Sequence, residues 1–229
     1  MQAIILAGGL GTRLRGVVGD VPKPMAEVAG RPFLMHLLDR LVAARGIEDV
    51  VLSVGYRHEV IRAALGERYR RLGLRYAVEA EPLGTGGGLR KALRLAAGAD
   101  VLVLNGDSVV DVDVAALAEA HARLGRPLTL TAVRLDDVGR YGTLELDGDQ
   151  VAGFAEKGAS GAGWINAGVY MMRGDLLDRW PLPDRFSFEQ EILVGRLAEI
   201  RPAVCRTAGF FIDIGIPEDY ARAQTSLAG

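Results

Sequence analysis

The sequence contains a single cysteine, Cys205, so no disulfide can form within the chain. Its charge is nearly balanced, with 27 Lys and Arg against 29 Asp and Glu, which argues against binding to nucleic acid or to an acidic membrane surface. No apolar run approaches the roughly 20 residues that span a bilayer. The first residues show no basic segment or cleavage site, so we expect a cytoplasmic protein.

Signatures of several enzyme classes are also missing. The three histidines, at positions 36, 58 and 121, do not have the spacing of a zinc site with Cys205. No G-x-S-x-G nucleophile elbow is present, and no internal repeat is visible. With 229 residues, of which 49% are hydrophobic and 24% charged, the sequence fits one α/β domain with a full core.

Hydrophobic periodicity predicts alternating strands and helices, followed by a group of short strands. We expect a single-domain, Rossmann-like α/β fold over residues 1–229, in which helices flank a mixed, mostly parallel sheet. The predicted strands cover residues 3–7, 49–54, 74–78, 99–105, 128–134, 142–146, 151–156, 164–170 and 210–212. The predicted helices cover residues 31–46, 59–65, 85–97, 113–124 and 187–198, with a last one near Pro217. The hairpin signal at 147–149 indicates a small antiparallel flap beside the parallel sheet.

The dominant feature is residues 3–16, where a short apolar strand is followed by glycines and arginines. Glycines let main-chain N–H groups approach a ligand, and guanidinium groups suit phosphate oxygens. A glycine-rich turn after the first strand is where an open α/β sheet usually binds its ligand. We therefore predict an anion site, best suited to a nucleoside triphosphate. Its contacts would come from Leu6, Ala7, Gly8, Gly9, Gly11, Thr12 and Arg13.

Two better-known phosphate loops do not fit this stretch. The dinucleotide fingerprint G-x-G-x-x-G would place a third glycine at position 14, which is Leu14. The Walker loop requires Gly-Lys-Ser/Thr, whereas two valines follow Gly16. A tight turn without a ligand is the alternative, but it explains neither the third glycine nor the two arginines.

Ten residues after Arg13, Lys23 stands between Pro22 and Pro24. Proline fixes its own φ and favours extended geometry in the preceding residue, so Lys23 lies on a stiff segment. A Pro-Lys-Pro segment is also common in exposed turns. Next to the glycine loop, we expect Lys23 and Arg13 to face the same phosphates.

Segments 6–14 and 22–24 together resemble the signature of the sugar-1-phosphate nucleotidyltransferases, and the similarity continues nearly to the C-terminus. The resemblance implies two substrates, an NTP and a sugar 1-phosphate, with Mg²⁺ as cofactor and pyrophosphate as a product. Segments 10–15, 21–25, 31–33 and 81–87 are most similar to guanylyltransferases acting on D-glycero-D-manno-heptose 1-phosphate. This implies GTP as the nucleotide and GDP-heptose, for surface polysaccharide, as the product.

A second glycine cluster opens the helix predicted after residue 84. Main-chain amides at a helix start bind anions or the edge of a nucleobase. A flexible loop, or Thr85 acting only as an N-cap, is the alternative. The resemblance favours recognition of the nucleobase by Glu81, Gly84, Thr85 and Gly86.

Asp107 follows a near-continuous apolar strand. In an open α/β sheet, ligands bind in a crevice at the carboxyl ends of the central strands, so Asp107 is expected at such a crevice. Mg²⁺ prefers oxygen ligands and often takes one or two carboxylates, with phosphates completing its shell. Asp107 is therefore a predicted Mg²⁺ ligand, although Asn-Gly-Asp turns also occur without one. The resemblance implies Asp213 as the second ligand, which spacing alone does not show.

Residues 128–200 would hold the sugar. By resemblance, the sugar-binding residues are Gly106, Tyr141, Gly142, Glu156, Lys157 and Asn166. Gly158 stands where the family usually has proline, so we expect a mobile substrate loop there. Glu189 is a further candidate for a sugar contact. An acid in the first turn of a helix is, however, also explained by the helix dipole.

The sugar phosphate is already an anionic nucleophile, so the expected mechanism relies on positioning and charge neutralisation rather than on a general base. The expected catalytic residues are Arg13, Lys23, Asp107 and Lys157. Three alternatives stay open: an enzyme for mannose or glucose 1-phosphate with GTP, CTP or UTP, a non-catalytic regulator that binds nucleotide sugars, and, least favoured, an NAD-dependent oxidoreductase. A homo-oligomer is possible.

Overall fold

The computed structural model describes residues 1–9, 11, 14–155 and 161–228, and of Arg15 only the backbone. Its strands are β1 (Gln2–Ala7), β2 (Glu27–Val28), β3 (Arg31–Pro32), β4 (Asp49–Val54), β5 (Arg68–Tyr69), β6 (Leu72–Val78), β7 (Asp100–Asn105), β8 (Ser108–Val110), β9 (Leu128–Leu135), β10 (Thr143–Asp147), β11 (Gln150–Ala155), β12 (Gly163–Arg173), β13 (Ala203–Thr207) and β14 (Phe211–Asp213). Its α-helices are α1 (Arg15–Val18), α2 (Phe33–Ala43), α3 (His58–Leu65), α4 (Gly84–Leu93), α5 (Val114–Leu124), α6 (Leu197–Ile200) and α7 (Pro217–Ser226). Other helical turns cover Lys23–Met25, Leu176–Arg179 and Phe188–Val194.

Ten strands form one sheet in the order β10-β11-β13-β9-β12-β7-β1-β4-β6-β5. Within it, β7, β1, β4 and β6 are parallel. The chain lays β4 and β6 on one side of β1 and then returns to place β7 on the other side. In open α/β sheets, such a reversal opens a crevice at the carboxyl ends of the two strands. The fold therefore brings the ends of β1 and β7 to one place.

The structure confirms the predicted fold class, a mixed sheet flanked by helices. The antiparallel part is larger than the predicted flap, because β12 runs antiparallel between β9 and β7 in the middle of the sheet. The hairpin of β10 and β11 continues the same sheet at its edge. A short apolar strand does not specify its direction, so long-range pairing decides it.

The core lies on both faces of the sheet, as the alternation of side chains along β1 requires. Ile5 packs into the layer that contains Leu38 of α2. Its neighbour Ile4 packs into the opposite layer with Leu89 of α4 and Phe188. All five side chains are buried, so the sheet that carries the crevice is held rigidly between two apolar layers.

The predicted helix over residues 187–198 is instead two short pieces, Phe188–Val194, with π-type hydrogen bonds, and α6. Ser187 caps the first piece, because its hydroxyl accepts a hydrogen bond from the Gln190 N–H at 3.2 Å. The Glu191 carboxylate in turn accepts a hydrogen bond from the Ser187 N–H. Within the described ranges, no helix is both long and apolar enough to cross a lipid bilayer.

Candidate active site

A cleft of about 300 Å³ opens where β1 and β7 end, between the segment after each strand and the start of α4. The lining residues are Leu6, Ala7, Gly8, Gly9, Lys23, Pro24, Ser53, Glu79, Pro82, Gly84, Thr85, Gly88, Asn105, Gly106, Asp107 and Glu189. This is the edge of the sheet at which the sequence predicts a ligand.

The cleft brings together residues from both glycine clusters and from the Asn-Gly-Asp turn. Of the predicted residues, those in its lining are Leu6, Ala7, Gly8, Gly9, Lys23, Gly84, Thr85, Gly106 and Asp107. Gly11 lies beside them, since a β-carbon there would come within 2.8 Å of the Lys23 β-carbon. Thr12, Arg13, Glu156 and Lys157 lie outside the described residues.

Besides Gly11, two predicted nucleotide contacts that the structure describes are outside the lining, Glu81 and Gly86. Glu81 is exposed to solvent, and Gly86 is buried. A β-carbon at Gly86 would come within 2.2 Å of the Phe186 ring, so this position serves the close packing of α4. In place of Glu81, the nearby carboxylate of Glu79 lines the cleft.

Lys23 and Asp107 form an ion pair, with 2.7 Å between Nζ and Oδ2. The Lys23 side chain is mostly buried, with 13% exposed, whereas 45% of the Asp107 side chain is exposed. The helical turn Lys23–Met25 holds the lysine, and Pro24 within it is buried. The cleft therefore has a fixed cation at the carboxyl end of β7.

Asp213 lies next to Asp107 because β8 and β14 pair antiparallel. In this register Asp213 pairs with Ser108, and the Ile214 N–H donates to the Asp107 carbonyl at 2.9 Å. The pairing thus places the backbone of Asp213 beside the turn that carries Asp107, although Asp213 itself is not in the lining of the cleft. The pairing supplies the long-range contact that spacing did not show.

The Asp213 side chain is largely buried and already carries two hydrogen bonds. The Gly215 N–H donates to Oδ1 at 2.7 Å, and the Tyr141 hydroxyl donates to Oδ2 at 2.6 Å. Burial, together with the Asp213 carboxylate, raises the pKa of Tyr141 to about 12. The phenol stays protonated at neutral pH, so Tyr141 contacts Asp213 as a donor.

These residues fit a divalent cation that is completed by a substrate. No group of three or more His, Cys, Asp or Glu side chains in the described ranges is arranged to hold a metal by itself. Two carboxylates with open coordination positions are the set that Mg²⁺ uses when phosphates supply further oxygens. The Lys23 ammonium already sits on Asp107, which shows that this carboxylate favours a cation.

Glu79, which also lines the cleft, was not among the predicted residues. Its Oε1 accepts from the Ser53 hydroxyl at 3.2 Å, and its Oε2 accepts from the Leu83 N–H at 2.9 Å. Gly8 and Gly88 flank the carboxylate so closely that a β-carbon at either would come within 2.6 Å of Oε1. The available signal was its position, directly after β6 at the carboxyl edge of the parallel sheet.

Glu189 enters the cleft as part of a hydrogen-bond network. Its Oε2 accepts from the hydroxyls of Thr85 and Ser187, at 2.6 and 3.1 Å. The Phe188 N–H donates to the Thr85 hydroxyl at 2.9 Å, which joins the start of α4 to this segment. Thr85 therefore fixes Glu189 rather than capping α4, which has no side-chain cap.

Asn166 and Gly142 are outside the lining of the cleft. The Asn166 amide donates to the Tyr170 hydroxyl at 2.8 Å and accepts from the Gly168 N–H at 3.1 Å. Burial raises the pKa of Tyr170, so its hydroxyl keeps its proton. Gly142 is exposed just before β10, next to Tyr141.

Comparison with protein families places this geometry among known proteins. A family model described as Nucleotidyl transferase matches residues 2–228. The D-glycero-alpha-D-manno-heptose 1-phosphate guanylyltransferase of Aneurinibacillus thermoaerophilus is 41% identical over 227 residues, which cover 99% of this chain and 98% of that protein. The mannose-1-phosphate guanylyltransferase of Mycobacterium tuberculosis is 37% identical over 236 residues, covering 99% of this chain and 64% of that protein.

Solved structures share the same architecture. The crystal structure of HddC from Yersinia pseudotuberculosis, complexed with GMP-PN, aligns with a TM-score of 0.87 and 36% identity over 99% of both chains. A putative glucose-1-phosphate thymidylyltransferase from Bacillus anthracis also gives a TM-score of 0.87, covering 100% of this chain and 95% of that one. At 19% identity, the second similarity concerns the fold alone.

Proposed function

Since the chain belongs to the nucleotidyl transferase family, we propose that it joins GTP to D-glycero-D-manno-heptose 1-phosphate, giving GDP-heptose and pyrophosphate. An oxygen of the sugar phosphate forms a bond to the α-phosphorus of GTP, while the bond from that phosphorus to the bridging oxygen of the β-phosphate breaks. The electron pair of the broken bond leaves with pyrophosphate. Relatives named as heptose 1-phosphate guanylyltransferases, from A. thermoaerophilus and Campylobacter jejuni, support this choice of substrates.

The observation that carries the choice of guanine is the Glu79 carboxylate at the end of the cleft. Among the common bases, guanine is the one whose pairing edge presents two adjacent donors, N1–H and the N2 amino group. A carboxylate accepts both, because each of its oxygens has two lone pairs. Ser53 and Leu83 use one position on each oxygen and fix the carboxylate for such a contact.

The triphosphate would lie along the first glycine cluster, which follows β1, and would extend toward Lys23. The main chain of Gly8 and Gly9 lines this part of the cleft. Lys23 would bind the α-phosphate as its charge shifts during transfer, and Arg13 would bind the phosphates that leave as pyrophosphate. Charges that are already in place stabilise such a transition state without costly rearrangement.

Asp107 and Asp213 would hold Mg²⁺ together with phosphate oxygens of GTP. The bound ion would supply Lewis-acid neutralisation of the phosphate charge. Lys23 takes one position on Oδ2, so its ammonium and the ion would compete for the charge of the Asp107 carboxylate. Phosphates that attract Lys23 would weaken this competition, so nucleotide binding would favour metal binding.

The sugar phosphate would enter beside Asp107. Lys157 would orient its phosphate, and Glu156 and Glu189 would accept hydrogen bonds from sugar hydroxyls. The Tyr141 hydroxyl donates to Asp213 and the Asn166 amide donates to Tyr170. These two residues would therefore shape the sugar region through those contacts and would not bind the sugar directly. We also propose a cytoplasmic enzyme, since nucleoside triphosphates are cytoplasmic substrates.

Mannose 1-phosphate is the alternative sugar, because mannose-1-phosphate guanylyltransferases match nearly the whole chain. Pyrophosphate release with Mg²⁺ tests both, with ATP, CTP, GTP and UTP each combined with manno-heptose, mannose and glucose 1-phosphates. We expect the highest kcat/KM for GTP with the manno-heptose. Highest activity in another combination would replace the substrate, and no activity in any of them would overturn the proposed reaction.

A further inference from the structure

Asp219 is a carboxylate that is almost fully buried, in the first turn of α7. Only 3% of its side chain is exposed, and both of its oxygens are paired with arginines. Oδ2 accepts from Nη1 of Arg140, and Oδ1 lies 2.9 Å from Nη2 of Arg222. An exposed acid would stabilise the helix start equally well, and burying a charge costs free energy unless it is paired. The burial of Asp219 is therefore explained by the contact with Arg140.

Arg140 reaches from the loop before β10 to the neighbourhood of Asp213. Its Nη2 lies 3.8 Å from Asp213 Oδ1, beyond hydrogen-bond distance. The guanidinium carbon stands 5.3 Å from the centre of the Tyr141 ring, which packs edge-on against Phe211 at 5.7 Å. The arginine is thus close enough to Asp213 to bind it after a small movement, but it is bound elsewhere.

Arginine and a divalent cation compete for the same carboxylate. A guanidinium forms strong, often bidentate, hydrogen bonds to carboxylate oxygens and is always charged. Asp213 accepts one hydrogen bond on each oxygen, from Gly215 and Tyr141, so each oxygen keeps one further position. A direct bond from Arg140 would occupy such a position.

We propose that Asp219 is a positioning residue that holds Arg140 back from Asp213, so that Asp213 stays available to the divalent cation. The inference rests on the proposed function of Asp213 as a metal ligand. In this arrangement α7 takes part in the site without touching a substrate. One guanidinium nitrogen of Arg140 binds the buried Asp219, and another stays 3.8 Å from Asp213 Oδ1.

The test is Mn²⁺ binding to the full chain saturated with GTP, without sugar phosphate, measured from the electron paramagnetic resonance signal of free Mn²⁺. Changes to residues that orient metal ligands typically weaken binding by about 10- to 100-fold. For Asp219→Asn we expect a loss of that size, because the released Arg140 binds Asp213. The double variant Asp219→Asn with Arg140→Gln should recover binding to within about threefold of the unaltered protein.

The recovery separates this role from a merely structural ion pair. If the pair only stabilised the fold, Arg140→Gln alone would weaken binding as much as Asp219→Asn does, and the double variant would not recover. The matched control is Arg222→Gln, which removes the other arginine partner of Asp219, leaves Arg140 in place and should leave binding unchanged. Should Asp219→Asn fail to fold, Arg140→Gln alone decides, because tenfold weaker binding in that variant overturns the inference.

Asp213→Asn distinguishes the two proposals. If this variant binds Mn²⁺ as tightly as the unaltered protein, the proposed metal site itself is wrong. If Asp213→Asn weakens binding and Asp219→Asn does not, the metal site stands and the role of Asp219 is wrong.

Discussion

The ammonium nitrogen of Lys23 lies 2.7 Å from Oδ2 of Asp107, in a cleft formed by residues from six parts of the chain. The same carboxylate is the proposed metal ligand, so the ammonium and the metal ion would compete for its negative charge. Three of the predictions below concern groups in this cleft.

Lys23→Met should lower turnover and tighten metal binding at the same time. Loss of one electrostatic group at a transition state typically costs about 10²- to 10³-fold in rate. Without nucleotide, however, the variant should bind Mn²⁺ more tightly than the unaltered protein, since no ammonium competes for Asp107. Weaker Mn²⁺ binding in the nucleotide-free variant would show that Lys23 does not block the carboxylate.

Asp107→Asn should fold normally and lose about 10²- to 10³-fold in kcat. Its side chain is partly exposed, and the amide oxygen of asparagine can still accept the hydrogen bond from Lys23. Asp111→Asn is the matched control, because Asp111 is an exposed acid that pairs with Arg40, away from the cleft lining. Pyrophosphate release and circular dichroism of both variants give the result, and near-normal turnover of Asp107→Asn would remove its catalytic role.

Glu79→Gln should reduce the preference for GTP. A good two-point contact to a base is worth roughly 1–3 kcal/mol of discrimination, which corresponds to about 5- to 150-fold. The ratio of kcat/KM for GTP to kcat/KM for the next-best triphosphate should decrease by a factor in this range. Glu81→Gln provides the comparison, since Glu81 is exposed and outside the lining, and equal effects of both changes would contradict the role of Glu79.

His36 should make stability depend on pH. Burial lowers the pKa of His36 below its usual value of 6.5, although the hydrogen bond to the Val28 carbonyl opposes this shift. Neighbouring charges act on the ring as well, with Arg31 and Arg40 lowering the pKa and Asp39 raising it. The folded protein therefore favours the neutral ring. Its contribution to stability is present above pH 6.5 and is lost as the pH falls toward the lowered pKa.

His36→Gln checks this dependence. The melting temperature of the unaltered protein should fall between pH 8 and pH 5.5 by more than that of the variant. The variant should be less stable at pH 8, because it loses the packed ring in α2. An equal fall in both proteins would show that other groups cause the pH dependence. The matched control is His58→Gln, because His58 is partly exposed. In this variant the melting temperature should fall between pH 8 and pH 5.5 by as much as in the unaltered protein.

Local patterns in the sequence were enough to predict the parts of the cleft that depend on neighbouring residues. The strand before Gly8, the stiff segment around Lys23 and the strand that ends before Asp107 each follow from a short stretch of chain. Glu79 was missed, and Glu81 chosen, because two residues in a turn decide which carboxylate faces inward. The contact of Arg140 with Asp219 joins residues far apart in the chain, so no local pattern could indicate it.

The pairing of β8 with β14 has a consequence for the order of synthesis. A ribosome makes the glycine loop, Lys23 and Asp107 long before Asp213. Asp213 joins them only when β14 leaves the exit tunnel and pairs with β8. Until then a nascent polypeptide lacks the second of the two proposed metal ligands, and we expect it not to retain the metal.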